Sequence, residues 1–156
     1  MRSAGILLYR RQGAAIEVLL VHPGGPFWRK KDLGAWSIPK GEYMEGEDPL
    51  AVARREFEEE TGMSVSGDPV PLGDLVQRGG KRVIAFALQG DLDPKKLRSN
   101  MFEMEWPPRS GRRQSFPEID RAEWFAPEQA QEKILTAQRP FIARLLVRLN
   151  LTGSDA

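Results

Sequence analysis

Cysteine is absent from the 156 residues. That excludes disulfides, thiolate metal sites and cysteine nucleophiles. Histidine occurs once, as His22, so no His-rich metal centre can be assembled. No apolar run approaches the roughly 20 residues that a membrane-crossing helix needs. The stretch Ala4 to Tyr9 is too short for the apolar part of a signal peptide. A cytoplasmic location with no membrane contact is therefore expected. An excess of either charge is missing too, because 23 Lys and Arg against 22 Asp and Glu leave +1. Such a balance gives no long-range pull on a polyanionic strand, so long nucleic acid is not an expected partner. What is present is the composition of a folded domain, 40% hydrophobic and 29% charged. At this length a single domain over 1–156 is expected.

Residues 4–9 and 16–22 are short apolar runs rich in strand formers, separated by a polar stretch containing Gly13. They read as a hairpin or as neighbouring strands. Pro23-Gly24-Gly25-Pro26 breaks the pattern, and 27–47 reads as a long ordered loop carrying Trp28 and Trp36. Asp48-Pro49 is a helix start, with Asp as N-cap and Pro at the first helical position. The helix should run to Thr61 and stop at Gly62. Strands are expected over 70–77 and 82–89 with a turn at Gly79-Gly80, and weaker ones over 101–106 and 123–125. Residues 107–120 read as a loop. Helices are expected over 127–135 and 139–149, the last with Leu145, Leu146 and Leu149 on one face. The order implies a mixed sheet with helices packed on it.

The most informative stretch is acidic. Between Glu42 and Glu60 eight acids face two bases, a net −6 in nineteen residues of a nearly neutral chain. At 3.6 residues per turn Glu56, Glu59 and Glu60 share one helix face, bordered by Val52. Leu50, Ala53 and Phe57 form an adjacent apolar stripe. Arg55 stands one turn before Glu59 and can pair with it. Three carboxylates so close repel one another, and a divalent cation with oxygen ligands offsets that directly. A solvated acidic face is the alternative, since charge runs commonly face water.

The spacing decides between the two. Gly41, five residues, Glu47, seven residues, then Arg55-Glu56-Phe57-Glu58-Glu59-Glu60-Thr61-Gly62-Met63 reproduces all seven fixed residues and both apolar places of one known motif. With each fixed type at roughly one in fifteen, chance agreement is on the order of one in a billion per starting position. The stretch resembles the Nudix hydrolase family. The resemblance implies an α/β fold, a Nudix-type α/β/α sandwich around a central mixed β-sheet, with the motif as a loop–helix–loop. It implies Mg²⁺- or Mn²⁺-dependent hydrolysis, at phosphorus, of a nucleoside diphosphate linked to another group. By position, Glu56, Glu59 and Glu60 would be metal ligands, together with the carbonyl of Lys40. Glu56 or Glu59 would orient or deprotonate the attacking water, Arg55 would position the carboxylates, and Glu47 would support the loop.

Outside the motif, Lys40 is also a candidate phosphate contact, as are Arg109, Arg112 and Arg113, because guanidinium suits phosphate. Glu118 is a candidate further acid for metal or water. Phe27, Trp28 and Trp36 are candidates to stack on a base, although Trp36 reads better as an anchor in the core. His22 reads as structural. Ile38-Pro39-Lys40-Gly41 is similar to the motif opening of diadenosine polyphosphate hydrolases, whose usual Tyr is missing near 79–81. A small nucleotide with a polyphosphate chain, such as a diadenosine polyphosphate or a nucleoside triphosphate, is the expected substrate, and a monomer or homodimer the expected state. The alternative is a Nudix-fold nucleotide-binding or regulatory module without hydrolase activity, which an intact set of acids disfavours.

Overall fold

The computed structural model describes residues 1–151; the last five residues of the expected unit lie outside it. Strands β1 (Arg2–Gln12) and β2 (Ala15–Pro23) form an antiparallel hairpin whose register closes with Gln12 opposite Ala15. Gly13 occupies the tight turn with a φ of 64°. β1 is the hub of the sheet. On its other side β5 (Arg82–Gln89) runs parallel to it, from Arg2 opposite Arg82 to Tyr9 opposite Gln89. β4 (Val70–Val76) extends the sheet antiparallel beyond β5, and β8 (Ile119–Phe125) does so beyond β2. The order is β4-β5-β1-β2-β8, with the short β3 (Lys40–Tyr43) antiparallel to the start of β1. One parallel pair among antiparallel ones makes the sheet mixed.

Period-two alternation divides the apolar runs between two cores. Ile6, Leu8, Leu19, Val21 and Leu88 face α1 (Pro49–Thr61), which supplies Val52, Ala53 and Phe57. Leu7, Tyr9, Val18, Leu20, Ala85 and Ala87 face the opposite way, onto Trp36 and onto Phe141, Ile142 and Leu145 of α3 (Arg139–Arg148). α2 (Pro127–Lys133) closes the same side through Ala130. This is an α/β/α sandwich, as the motif implied. Among the described residues no helix is long and apolar enough to cross a membrane.

Helix α1 has the bounds its sequence dictates. The Asp48 carboxylate accepts the Ala51 N–H at 3.2 Å. Gly62 adopts the left-handed conformation (φ 77°) and returns its N–H to the Glu58 carbonyl at 2.7 Å. The buried stripe is Val52, Ala53, Phe57 and Thr61, so Val52 belongs to the core while Leu50 is only half-buried. In α3 the deepest positions are Phe141, Ile142 and Leu145, with Leu146 and Leu149 at their edge.

Two expected loops contain strands. Residues 27–47 include β3, which has no alternating apolar pattern and exists because β1 offers it a register. Residues 107–120 include β7 (Arg113–Pro117), largely polar and exposed, which pairs with β6 (Met101–Glu105) as a separate two-stranded arm. β8 starts at Ile119, four residues before the expected strand. Gly79-Gly80 lies in a 3-10 turn, Arg78–Gly80.

Candidate active site

The loop before α1 and the helix itself are matched at one glycine. A Cβ on Gly41 would lie 2.0 Å from the Glu56 Cδ and 2.3 Å from its Cγ. Only a hydrogen at that position lets β3 and the Glu56 side chain occupy the same corner. Glu56, Glu59 and Glu60, three and four residues apart, then lie along the edge of α1 beside β3.

Glu60 is the most buried of the three. Its Oε2 is enclosed and has no hydrogen-bond partner among the described residues. Burial first, and the Glu56 charge second, push its carboxyl from an ordinary 4.5 to about 8, against the Lys40 charge and backbone N–H, which favour ionisation. Glu56 is pushed up by burial and then by Glu59, with Arg55 opposing. Glu118 raises both Glu56 and Glu60. It comes from the junction of β7 and β8, where its N–H donates to the Asn100 carbonyl and its own carbonyl accepts from Gly24, both at 2.8 Å. Four carboxylates from two distant parts of the chain therefore act on one another. Lys40 faces them from β3, and burial lowers its ammonium pKa while Glu60 raises it.

A divalent cation fits this set. An enclosed carboxylate oxygen without a donor is costly unless a positive charge meets it. Among the described residues no three or more His, Asp or Glu side chains are gathered closely enough to hold a metal ion by themselves, so waters and substrate oxygens would have to complete the set. An open, oxygen-only set suits Mg²⁺, which keeps several waters and takes substrate phosphate oxygens.

Arg55 stands 3.5 Å from Glu47 and 3.8 Å from Glu56. The expected pairing with Glu59 is not formed, because the loop brings Glu47 within reach of the guanidinium. Glu47 also accepts the Met44 N–H at 2.8 Å, closing that loop. A cleft of about 230 Å³ opens beside the carboxylates. Lys40, Glu60 and Glu118 give it polar lining, and Trp28, Ile38 and Leu135 give it apolar lining. A larger hollow of about 520 Å³ between β4 and α3 contains none of the motif residues.

The other candidates separate clearly. Trp28 lines the cleft, with the Lys31 ammonium 4.9 Å from its ring centre. Trp36 is 1% exposed, donates its indole N–H to Asp32 and packs edge-on against Phe125. It is core and cannot stack on a ligand. His22 is fully buried: Nε2 donates to the Lys31 carbonyl at 2.6 Å and Nδ1 lies 2.8 Å from Asp120. It ties β2 to β8 and to the following loop. Arg109, Arg112 and Arg113 occupy the tip of the β6–β7 arm, where Arg113 lies 3.8 Å from Glu103. At about 3.3 Å per residue, Arg113 stands about 17 Å along the strand from Glu118. None of these three arginines lines the cleft that Lys40, Glu60 and Glu118 share.

The family model described as the NUDIX domain matches residues 1–145. An octanoyltransferase of Myxococcus xanthus is 34% identical over 134 residues, which are 86% of this chain and 33% of that protein. An RNA pyrophosphohydrolase of Erythrobacter litoralis (strain HTCC2594) is 35% identical over 101 residues, 65% of this chain and 51% of that protein. The chain thus spans a third and about half of these curated relatives. A solved Ap4A hydrolase from C. elegans, in a binary complex, superposes with a TM-score of 0.64 at 21% identity, covering 96% of this chain and 97% of that one. At that identity the likeness speaks for the fold. The family match is of another kind, since it starts one residue before β1, takes in both cores and the whole motif, and ends within α3, so the chain belongs to the Nudix hydrolase family.

Proposed function

We propose that this domain is a divalent-metal pyrophosphohydrolase that cleaves a phosphoanhydride bond in a nucleoside diphosphate linked to another group. The enclosed, unpartnered Glu60 Oε2 within a group of mutually repelling carboxylates carries this reading. Glu56, Glu59 and Glu60, with the Lys40 carbonyl, would hold Mg²⁺ or Mn²⁺. When bound, such an ion offsets phosphate charge and makes water a better nucleophile at neutral pH. The protein's own groups do the rest. Arg55, between Glu47 and Glu56, fixes the Glu56 carboxylate in place. Glu56 or Glu59 orients the attacking water and takes its proton. Glu118, exposed at the cleft and in the field of Glu56 and Glu60, is a second acceptor for that proton. The Lys40 ammonium beside Glu60 is positioned to meet a phosphate oxygen. Trp28 and Leu135 give a nucleoside an apolar surface.

Two linked groups have support. The Pro39-Lys40-Gly41 opening favours a second nucleoside on a polyphosphate bridge. The Erythrobacter relative, an RNA pyrophosphohydrolase by name, favours the 5′ end of RNA. The deciding experiment compares kcat/KM for diadenosine tetraphosphate, dGTP, ADP-ribose and a 5′-triphosphorylated RNA oligomer at one Mg²⁺ concentration. Glu59→Gln is expected to lower kcat by a hundredfold or more in a folded protein, because several kcal/mol of transition-state stabilisation rest on metal-assisted activation of water. Wild-type kcat in that variant overturns the catalytic assignment. Nucleotide binding with no turnover of any member of the panel would identify a binding module instead.

A further inference from the structure

The arm and the loop that follows β2 meet at the edge of the cleft. The Gly24 N–H donates to the Glu118 carbonyl at 2.8 Å, and a Cβ on Gly25 would stand 3.0 Å from the Phe102 ring. Phe27 and Trp106 then pack edge to face with their centres 5.5 Å apart. Phe27 keeps 60% of its surface in solvent. Its chain neighbour Trp28 lines the cleft, so an aromatic path leads from the carboxylates out to the tip of the arm.

Cations flank that path. Loop and tip together carry Arg29, Lys30, Lys31, Arg109, Arg112 and Arg113, six bases against the three acids Asp32, Glu103 and Glu105. Asp32 is held by Lys133 and Glu103 by Arg113. Arg29, Lys30, Lys31, Arg109 and Arg112 are exposed and have no ion-pair partner among the described residues. The near-zero charge of the whole chain does not oppose this. Charges act over about 8 Å at physiological salt, so the local excess governs what binds there.

Aromatic rings set among unpaired cations, Phe27 exposed and Trp28 and Trp106 half-buried, suit single-stranded nucleic acid, with bases stacking and the backbone tracked by charge. We propose that the β6–β7 arm and residues 24–34 form a track for the nucleotides that follow the hydrolysed phosphates, so that the substrate is the 5′-polyphosphorylated end of an oligonucleotide. The proposal rests on the pyrophosphohydrolase reading and narrows it. A dinucleoside polyphosphate keeps its phosphates at the carboxylates and leaves the cations at the tip, about 17 Å along β7, without a use.

The test uses 5′-triphosphorylated RNA of one, two, four and eight nucleotides with the full chain. The expected result is a fall in KM of at least tenfold from one to four nucleotides, carried by KM rather than kcat. Arg109→Gln with Arg112→Gln should flatten that dependence. It should also reduce the slope of log affinity against log salt by about 1.4, the value for two lost contacts to a single strand. Fluorescence anisotropy of a labelled eight-nucleotide RNA on a Glu60→Gln background gives the same comparison without turnover. Trp106→Ala tests the aromatic path, and Trp106→Phe should restore it. Equal kcat/KM at all lengths, or equal loss on the one- and four-nucleotide substrates in the double variant, overturns the track and leaves the hydrolase reading standing. No hydrolysis of any nucleotide, with tight and length-dependent RNA binding, overturns the hydrolase reading and leaves the track.

Discussion

Glu60 is where this protein spends stability on readiness. A carboxyl raised to about 8 in the fold and ordinary (4.5) in the unfolded chain binds its proton more tightly when folded. Between those values the folded state holds more protons, so the stability Glu60 contributes is complete below about 4.5 and is lost as pH climbs through about 8. Thermal melts in chelator from pH 5 to 8.5 should show a falling Tm, and Glu60→Gln should remove most of the fall. A variant that melts with the wild-type pH slope would place the titrating group elsewhere. Gly41 gives a second residue-scale expectation. Gly41→Ala puts a methyl 2.0 Å from the Glu56 Cδ, so Glu56 must leave its position. Turnover should drop more than tenfold while the circular dichroism spectrum is kept. The grouping of the motif acids was legible because it follows from spacing along one helix and one loop. Glu118 was harder, since 58 positions separate it from Glu60 and only the β7–β8 junction brings it near. The Arg55 partner was misjudged for a related reason. Helical spacing offers Glu59, but the turn at Met44–Glu47 presents a closer carboxylate, and nothing in the helix announces it.

At the scale of elements, α1 carries both the site and half of one core. Its start depends on a single cap. Asp48→Ala should cost about 1 kcal/mol in denaturant unfolding, and the free N-terminal turn should loosen Glu47 and weaken its contact with Arg55. An unchanged midpoint would show that Pro49 and packing define the helix start without the cap. The sequence made α1 readable because Asp-Pro at one end and Gly at the other each satisfy backbone groups that a helix leaves open. The long strands were readable through alternation that splits Leu7 from Leu8 and Leu19 from Leu20 into opposite cores. β3 and β7 carry no such code. Lys40–Tyr43 is a strand because β1 has a free edge there, and Arg113–Pro117 because β6 lies opposite. Both are consequences of tertiary partners, which local pattern does not encode.

For the whole molecule, the acidic edge of α1 is a cost that the proposed cation would offset. Mg²⁺ binding to the folded state alone should add about 2.7 kcal/mol at a hundredfold excess over Kd. Differential scanning calorimetry with and without millimolar Mg²⁺ measures this, and the triple change Glu56→Gln, Glu59→Gln, Glu60→Gln should abolish the response while melting no lower than wild type in chelator. An equal Mg²⁺ response in the triple variant would place the ion at other residues. The central position of β1 has another outcome, during synthesis. Its parallel partner β5 is encoded 80 residues later, with Arg2 meeting Arg82. At 5–20 residues per second a ribosome needs about 4–16 s to deliver it. For that interval the buried apolar run of β1, Ile6 to Tyr9, has β2 on one flank and a bare edge on the other, so the growing polypeptide presents a sticky ribbon to every neighbour until its middle has been translated.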